Sequence, residues 1–183
     1  ALLGRAELLT QGARVGMDAA EVHAVIDEAR ALAADEEHRP LLAFVLLRGW
    51  YALNGTGQAE EARALSEEAV AVADRSGIDL LSVGARVAHM SNASASGSVE
   101  GALEVCDEAE ALLAASGFDS PESTLRCQLD FGRGSLLVRA GRLDEALVHL
   151  RSALASADAS GEPQWQVITR VGLLVGLVTQ GPG

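Results

Sequence analysis

Apolar residues recur along most of the chain at the spacing of amphipathic α-helices. Between Gly141 and Gly161 they fall on one side of a helix with a period of about 3.6 residues. These positions are Ala146, Leu147, Leu150, Ala153, Leu154 and Ala157. Over the whole chain the pattern predicts helices at about 2–14, 18–35, 39–54, 58–75, 79–94, 98–115, 121–140, 142–159 and 163–180.

The helical stretches repeat with a period near forty residues. Alanines lie five and twelve residues after each turn glycine, and a Ser-Gly pair lies nineteen and twenty residues after it. Three blocks share these landmarks, with origins at Gly57, Gly97 and Gly141. One interval before Gly57 lies Met17, and one interval after Gly141 lies Gly181. Recurrence of this kind is typical of stacked repeats.

Glycine and proline mark the predicted ends of these helices. The closing glycine of each block favours a left-handed C-cap. Pro40, Pro121 and Pro163 are each predicted in a first helical turn, where the missing N–H does no harm. The fourth block follows after four extra residues, which fall within 117–124. This stretch is either a tolerated surface insertion or a binding loop.

The repeats predict an all-α solenoid of about nine antiparallel helices in four and a half pairs. One helix pair cannot bury its apolar face alone, so stacked neighbours complete the core. The pairs are predicted at about 2–35, 39–75, 79–115 and 121–159, with a half pair at 163–180. We expect a single repeat domain, 1–183, that is a fragment of a longer chain.

The fourth block resembles the tetratricopeptide repeat. It has a small residue on the first helix, a turn glycine and two alanines on the second helix, namely Gly134, Gly141, Ala146 and Ala153. The second and third blocks keep the last three features but carry Trp50 and Met90 at the first-helix position. The resemblance implies a right-handed, TPR-like solenoid.

Two segments, 57–74 and 97–113, are similar to repeat regions of large multidomain bacterial signalling proteins. Such regions follow ATPase modules in adenylate/guanylate cyclases and in LuxR-type transcriptional activators. The similarity implies a place in one of these two kinds of parent protein and leaves both open.

In tetratricopeptide repeats the first helix of each pair lines a concave groove. Transferred by register, the resemblance assigns to the groove Phe44, Leu47, Arg48, Tyr51, Val87, Ser91, Gln128, Phe131, Ser135 and Arg139. Aromatic residues and arginine are enriched at interface anchors. The set implies a protein or peptide partner with some negative charge. The alternative is that Phe44 and Phe131 belong to the core.

The last predicted helix is apolar on almost every side, so neighbouring elements must bury its side chains on several sides. We expect self-association of this fragment, as a homodimer or a larger assembly, through Trp165, Ile168, Val171, Leu174, Val175 and Val178. The alternatives are that missing sequence covers this helix or that nothing covers it. In the same helix, Gly172 and Gly176 are interpreted as a packing notch.

Composition narrows the possible chemistry. The chain has 33 alanines and 27 leucines, and all 14 of its basic residues are arginine. Without lysine there is no P-loop lysine, no Schiff base and no Ser-Lys pair. The net charge of -12 argues against a nucleic-acid surface. Most acids are predicted on second helices as a solvated face, and no apolar stretch is long enough to cross a membrane.

Candidate catalytic and metal-binding groups are few. Cys106 and Cys127 lack metal-ligand spacing and are predicted to be reduced and buried. His149 has only Asp144 nearby on its own helix, five residues away. We expect no metal, no cofactor and no enzymatic activity, and a cytoplasmic location.

These features favour a non-catalytic scaffold for protein–protein interaction, the repeat region of a bacterial signalling or transcription regulator. The alternative is a small-molecule-sensing regulatory domain with a ligand pocket inside the superhelix.

Overall fold

The computed structural model describes residues 4, 18–33, 36–96 and 98–181, which contain helices and turns and no strand. Its helices are α1 (Ala19–Leu32), α2 (Arg39–Gly55), α3 (Ala59–Ser76), α4 (Asp79–Ser96), α5 (Val99–Ser116), α6 (Thr124–Arg139), α7 (Leu143–Ser160) and α8 (Pro163–Gln180). A 3-10 turn, Glu36–His38, precedes α2. The all-α prediction is confirmed for this part of the chain, and neighbouring helices pack in pairs.

Most of the predicted helix boundaries are confirmed to within two residues. Pro40 and Pro163 lie in the first turns of α2 and α8, as predicted. The end of α1 is an exception, because this helix stops at Leu32. The predicted helix 2–14 lies outside the described residues except for Gly4, which is helical. None of the described helices combines the length and the hydropathy that crossing a bilayer requires.

The start of α6 differs from the prediction. This helix begins at Thr124 rather than at 121. Ser123 has an extended backbone, and its Oγ accepts a hydrogen bond from the Arg126 N–H (3.5 Å), so it is the N-cap. Pro121 therefore lies in the preceding turn, and its interpretation as a helix opener is wrong.

The chain divides into two compact units, Ala1–Asn92 and Ala93–Gly183. The boundary falls inside α4, so the third predicted pair, 79–115, is divided between the units. In the first unit α2 and α3 form a pair, and in the second unit α6 and α7 form the equivalent pair.

The recurring alanines lie at buried positions of these helices. None of them is more than 1% exposed: Ala62, Ala69, Ala102, Ala109, Ala146 and Ala153. The α6–α7 pair shows why the first helix also needs a small residue. A Cβ added at Gly134 would lie 2.7 Å from Leu150 Cγ and 3.2 Å from the Ala146 carbonyl oxygen. The two backbones are therefore too close at this point for a larger residue.

A Schellman motif ends the first helix of each of these pairs. After α6, the Arg142 N–H donates to the Leu137 carbonyl (2.9 Å). The Gly141 N–H donates to the Val138 carbonyl (3.1 Å). The turn at Gly57 repeats both bonds after α2. The positive φ of the two glycines, 73° and 82°, is the reason that glycine recurs here.

The serine before each closing glycine forms hydrogen bonds at the C-terminal end of the second helix of a pair. Ser76 Oγ donates to the Ala73 carbonyl (2.6 Å) and accepts from the Ile78 N–H (3.2 Å). Ser116 and Ser160 repeat both bonds with their own neighbours. The glycines that follow are the predicted left-handed C-caps: Gly77, Gly117 and Gly161. The Ser-Gly pair thus satisfies backbone groups that a helix end leaves without partners.

In the first unit, a histidine–glutamate hydrogen bond and an arginine–glutamate ion pair join α1 to α3. His23 contacts Glu61 (2.6 Å), and Arg30 binds Glu68 through two hydrogen bonds (2.6 and 3.1 Å). Both contacts join residues 38 apart in sequence, so the two helices run parallel. Exposed ion pairs contribute at most about 1 kcal/mol, so these contacts set the register of the helices more than their stability.

A second kind of ion pair recurs at equivalent positions of the two units. Arg86 of α4 binds Asp74 of α3 (2.7 and 3.1 Å), and Arg170 of α8 binds Asp158 of α7 (2.8 Å). The arginine follows the aspartate by 12 residues each time, and the two pairs lie 84 residues apart. This separation (158 − 74) equals the sum of the two repeat intervals, 40 and 44. The sequence repeat is therefore also a repeat of contacts.

Replacing Gly134 by alanine is expected to destabilise the protein by about 1–3 kcal/mol, because the new Cβ overlaps Leu150 and the Ala146 carbonyl. Gly84→Ala is the matched control, since its Cβ would lie at an ordinary 3.5 Å from Leu47 Cδ1. This control should gain roughly 0.5–1 kcal/mol from helix propensity. Urea unfolding followed by circular dichroism measures both. An unchanged or more stable Gly134→Ala variant would contradict the close packing.

Candidate functional site

The groove positions predicted on α2 form a half-buried aromatic and basic cluster, called here the α2 patch: Phe44, Leu47, Arg48 and Tyr51. Its three hydrophobic residues pack with one side against the core of the first unit. The guanidinium carbon of Arg48 lies 4.8 Å from the centroid of the Phe44 ring, in cation–π geometry. Within the described residues, no carboxylate forms an ion pair with Arg48. The patch therefore presents a positive charge that no acidic side chain in the described ranges compensates.

Two further groove positions of the first unit lie on α4. Val87 is buried, whereas Ser91 is exposed. The Ser91 Oγ donates to the Val87 carbonyl (3.0 Å), so its hydroxyl proton is bound to its own helix. Neither residue adds charge to the first unit's part of the predicted groove.

The remaining groove positions lie on α6 in the second unit. Gln128, Phe131 and Ser135 are half-buried, and Arg139 is exposed. The Phe131 ring packs edge-on against Trp165 of α8 (6.0 Å between centroids). A Cβ at Gly172 would lie 2.5 Å from Phe131 Cε2. Phe131 is therefore a packing residue between α6 and α8, in line with the core alternative.

The residues predicted for self-association divide into two groups on α8. Trp165 and Ile168 are half-buried, and the other four are exposed: Val171, Leu174, Val175 and Val178. Gly172 and Gly176 point inward, since added Cβ atoms would meet Phe131 and Leu150 respectively. The interpretation of these glycines as a packing notch is confirmed.

An open cleft of about 580 Å³ lies in the second unit beside α6 and α7, called here the α6–α7 cleft. Its lining comprises Glu110, Asp119, Ser120, Pro121, Arg126, Asp130, Val148, His149, Ser152, Ala155 and Ser156. The volume is within the range of small-molecule sites, about 300–1,000 Å³. Part of the cleft wall is formed by the segment 117–124, for which the sequence left two interpretations, a surface insertion and a binding loop.

Asp130 is the most buried charged group of the cleft, with its side chain 8% exposed. One carboxylate oxygen lies 3.2 Å from His149 Nδ1, and the other accepts from Ser152 Oγ (2.8 Å). A buried carboxylate without partners would be costly, and these two donors offset that cost. Because an ionised carboxylate only accepts hydrogen bonds, Nδ1 is assigned the proton in neutral His149, and Nε2 is then an acceptor.

Arg126 attaches the inserted loop to α6. Its Nε and Nη2 donate to the two oxygens of Asp119 (2.8 and 2.5 Å), and its Nη1 donates to Glu110 (3.1 Å). The bidentate hydrogen bonds from Arg126 hold the pKa of Asp119 below its ordinary value. The loop thus owes its position in the cleft wall to a charge-assisted contact.

The cleft contains serine, histidine and aspartate without the geometry of a catalytic relay. In such a relay the serine donates to the histidine, which acts as the base. Here Ser152 donates to Asp130 instead, so His149 does not activate it. Across the described residues, no three histidine, cysteine or acidic side chains come together as metal ligands. The arrangement is suited to hydrogen bonding with a ligand rather than to nucleophilic attack.

The contact between Asp130 and His149 was not among the predictions from the sequence. The two residues are 19 apart and lie on different helices, whereas Asp144, the acid near His149 in the sequence, lies on its own helix. The repeat register contained a usable signal. Eleven residues before their turn glycines stand Leu46, Arg86, Arg170 and, in the fourth block, Asp130. A carboxylate at a position that holds arginine in two other repeats marks a change of role.

Cys106 and Cys127 form no disulfide and are buried, as predicted. Burial raises the pKa of the Cys106 thiol to about 12, against the opposing effect of Arg133. Burial likewise raises the pKa of Cys127 to about 11. The Cys127 thiol also donates a weak hydrogen bond to the Ala153 carbonyl (3.4 Å). Both groups are therefore neutral and shielded near pH 8.

Neither thiol should react with iodoacetamide in the folded protein at about pH 8, because the thiolate is the reactive form. Both should react fully once the chain is unfolded. As the pH is raised, Cys127 should be modified before Cys106, since its pKa is the lower of the two. Mass spectrometry of peptides measures the order. Rapid labelling of either residue in the native state would show that its burial is wrong.

The α2 patch and the α6–α7 cleft are thus the two polar candidate sites, one in each unit. Their interpretation depends on the chemistry of their own residues. No family model, no curated protein and no solved structure matches this chain.

Proposed function

We propose that this chain is a non-catalytic helical-repeat scaffold that binds an acidic protein segment. The observation that carries the proposal is the Arg48 guanidinium stacked on Phe44, with no carboxylate partner among the described residues, in a chain of net charge -12. Arginine and aromatic side chains are the commonest interface anchors. An acidic segment would supply the carboxylate that Arg48 lacks.

The chemistry of the second unit supports a role without catalysis. Ser152 is bound to Asp130 rather than to His149, and the two cysteines are buried with raised pKa values. Ser152, Cys106 and Cys127 are therefore held in states that do not favour nucleophilic attack.

The proposal extends to architecture and to the parent protein. The recurrence of the Asp–Arg pair after 84 residues supports a regular helical repeat, and the right-handed TPR-like solenoid is proposed from the resemblance of the fourth block to the tetratricopeptide repeat. The resemblance of 57–74 and 97–113 to repeat regions of bacterial cyclases and LuxR-type activators supports a place in a signalling or transcription regulator.

Arg48→Ala is expected to lower the capture of acidic proteins from a bacterial lysate by about fivefold or more. Arg75→Ala is the matched control, because Arg75 is exposed on α3 and also lacks an ion pair with any described carboxylate. Quantitative mass spectrometry compares the three baits. The melting temperature should fall by no more than a few degrees, since a half-buried cation–π contact contributes about 0.5–2 kcal/mol. Equal capture by wild type and Arg48→Ala would remove the α2 patch as the binding site.

A second candidate is a small-molecule sensor, favoured by the volume and the polar lining of the α6–α7 cleft. In that case a ligand from a panel of nucleotides, amino acids, sugar phosphates and polyamines should raise the melting temperature by about 3 °C or more. His149→Gln should abolish the shift, and His23→Gln, in the first unit, should keep it. If no compound of the panel shifts the wild type, the sensor is rejected for these classes.

A further inference from the structure

We infer that the α6–α7 cleft binds a small organic cation through its ammonium or guanidinium group, which Asp130 and Ser156 recognise. The inference rests on the second candidate function, the small-molecule sensor, and names the chemical class of its ligand. It does not involve the α2 patch.

Asp130 is a buried carboxylate without a permanently charged partner. Its side chain is 8% exposed, and its hydrogen-bond partners are His149 and Ser152. Both partners are uncharged in the tautomer assigned above. Arg126, the arginine of the cleft lining, forms its hydrogen bonds with Asp119 and Glu110 instead. Because buried charges in proteins are normally paired, Asp130 is suited to a cation that a ligand brings.

The repeat register shows that Asp130 has no part in the ion pair of the other repeats. Arg86 and Arg170 stand at the same position of two other repeats, and each binds an aspartate twelve residues earlier. That aspartate lies seventeen residues after its turn glycine, and the residue seventeen after Gly97 is Ala114. Both members of the pair are thus replaced at this junction. The carboxylate of Asp130 is not kept for the contact that sets the helix register elsewhere.

Ser156 provides an independent sign of a ligand. It lines the cleft and is only 4% exposed. Among the described residues, no group donates to its hydroxyl or accepts from it. Ser152, about one turn earlier on α7, uses its own hydroxyl to bind Asp130. A hydroxyl at this depth without a partner is unfavourable, and an N–H donor of a ligand would satisfy it.

The polar residues of α7 form a stripe that fits a short alkyl chain with N–H donors. His149, Ser152 and Ser156 follow at intervals of three and four residues. They therefore lie on one face of the helix over about 10 Å. Val148 and Ala155 add aliphatic surface to the same lining. An alkylamine would place its methylene groups against these two residues and its N–H groups against the stripe.

The charges of the lining favour a cation over an anion. In its described lining the cleft has three carboxylates, Glu110, Asp119 and Asp130, and one guanidinium, Arg126. The described histidine, cysteine and acidic side chains form no group of three that would ligate a metal ion. An ammonium or guanidinium group meets both requirements, because it carries the charge that Asp130 lacks and donates hydrogen bonds to Ser156.

Isothermal titration calorimetry with matched probes tests the class of ligand. Putrescine and agmatine should bind with dissociation constants of about 1 mM or lower, whereas neutral 1,4-butanediol and anionic succinate should not bind. The peptide acetyl-Gly-Lys-Gly-amide carries the same ammonium group on a protein-like backbone. Tighter binding of this peptide than of putrescine would identify a lysine side chain as the source of the group. Absence of binding by all three cations, or preferred binding of succinate, overturns the inference.

Variants locate the bound cation. Asp130→Asn should raise the dissociation constant of agmatine by about 30-fold or more, and Ser156→Ala should raise it by about fivefold or more. Glu104→Gln is the matched control, because it removes the same charge from an exposed position of α5. In about 0.15 M salt, where exposed charges are largely screened, this control should bind like the wild type. Equal weakening by Glu104→Gln would show unspecific attraction to an acidic surface and would overturn the inference.

The outcomes separate this inference from the proposed functions. Circular dichroism checks folding, and Ser156→Ala decides if Asp130→Asn does not fold. Arg48→Ala should bind agmatine like the wild type, so a failure of the α2 patch leaves the inference intact. If an anionic compound binds in the cleft in place of the cations, the sensor candidate stands and the class of ligand inferred here is wrong.

Discussion

The close approach of paired helix backbones is the constraint on which the rest of the structure depends. Gly134 leaves no room for a Cβ beside Leu150, and the alanines at fixed distances from the turn glycine lie with almost no exposure. One residue more or less in a turn would rotate the second helix by about 100° and move its alanines away from the contact. The number of residues in the turn therefore determines at which positions of the second helix the alanines must lie. The four extra residues of the fourth block accordingly fall between pairs, at 117–124, and not within one.

Charge is distributed so that the two units present different surfaces. Acidic residues of the second helices bind cations of neighbouring helices, as Glu68 binds Arg30 and Glu110 binds both Arg126 and Arg133. These acids are predicted from the sequence as a solvated face, and the structure adds a role in helix register. Two helices, α2 and α8, contain no acid at all. On its surface, α2 presents a cation stacked on an aromatic ring, whereas α8 presents solvent-exposed aliphatic side chains.

Features encoded within about one helical turn were predictable from the sequence. The helix period, the turn glycines and the left-handed C-caps needed only local spacing, and all are confirmed over the described residues. The start of α6 was missed because the capping of Ser123 competes with a proline signal two residues earlier. The α6–α7 cleft was missed for a different reason. The neighbours of Asp130, His149 and Ser152, are brought to it by the packing of another helix, and no local pattern reports such a contact.

The cations between helices are nearly all arginine, as in the pairs of Arg30, Arg86 and Arg170. A guanidinium stays charged at every pH at which a protein remains folded, and it is not a target for acetylation or ubiquitination as lysine is. These helix contacts are therefore outside the reach of amine-directed modification. Weakening them would require modification of the guanidinium itself, of its carboxylate partner or of a neighbouring hydroxyl, and amine-reactive probes would leave the register of the repeats untouched.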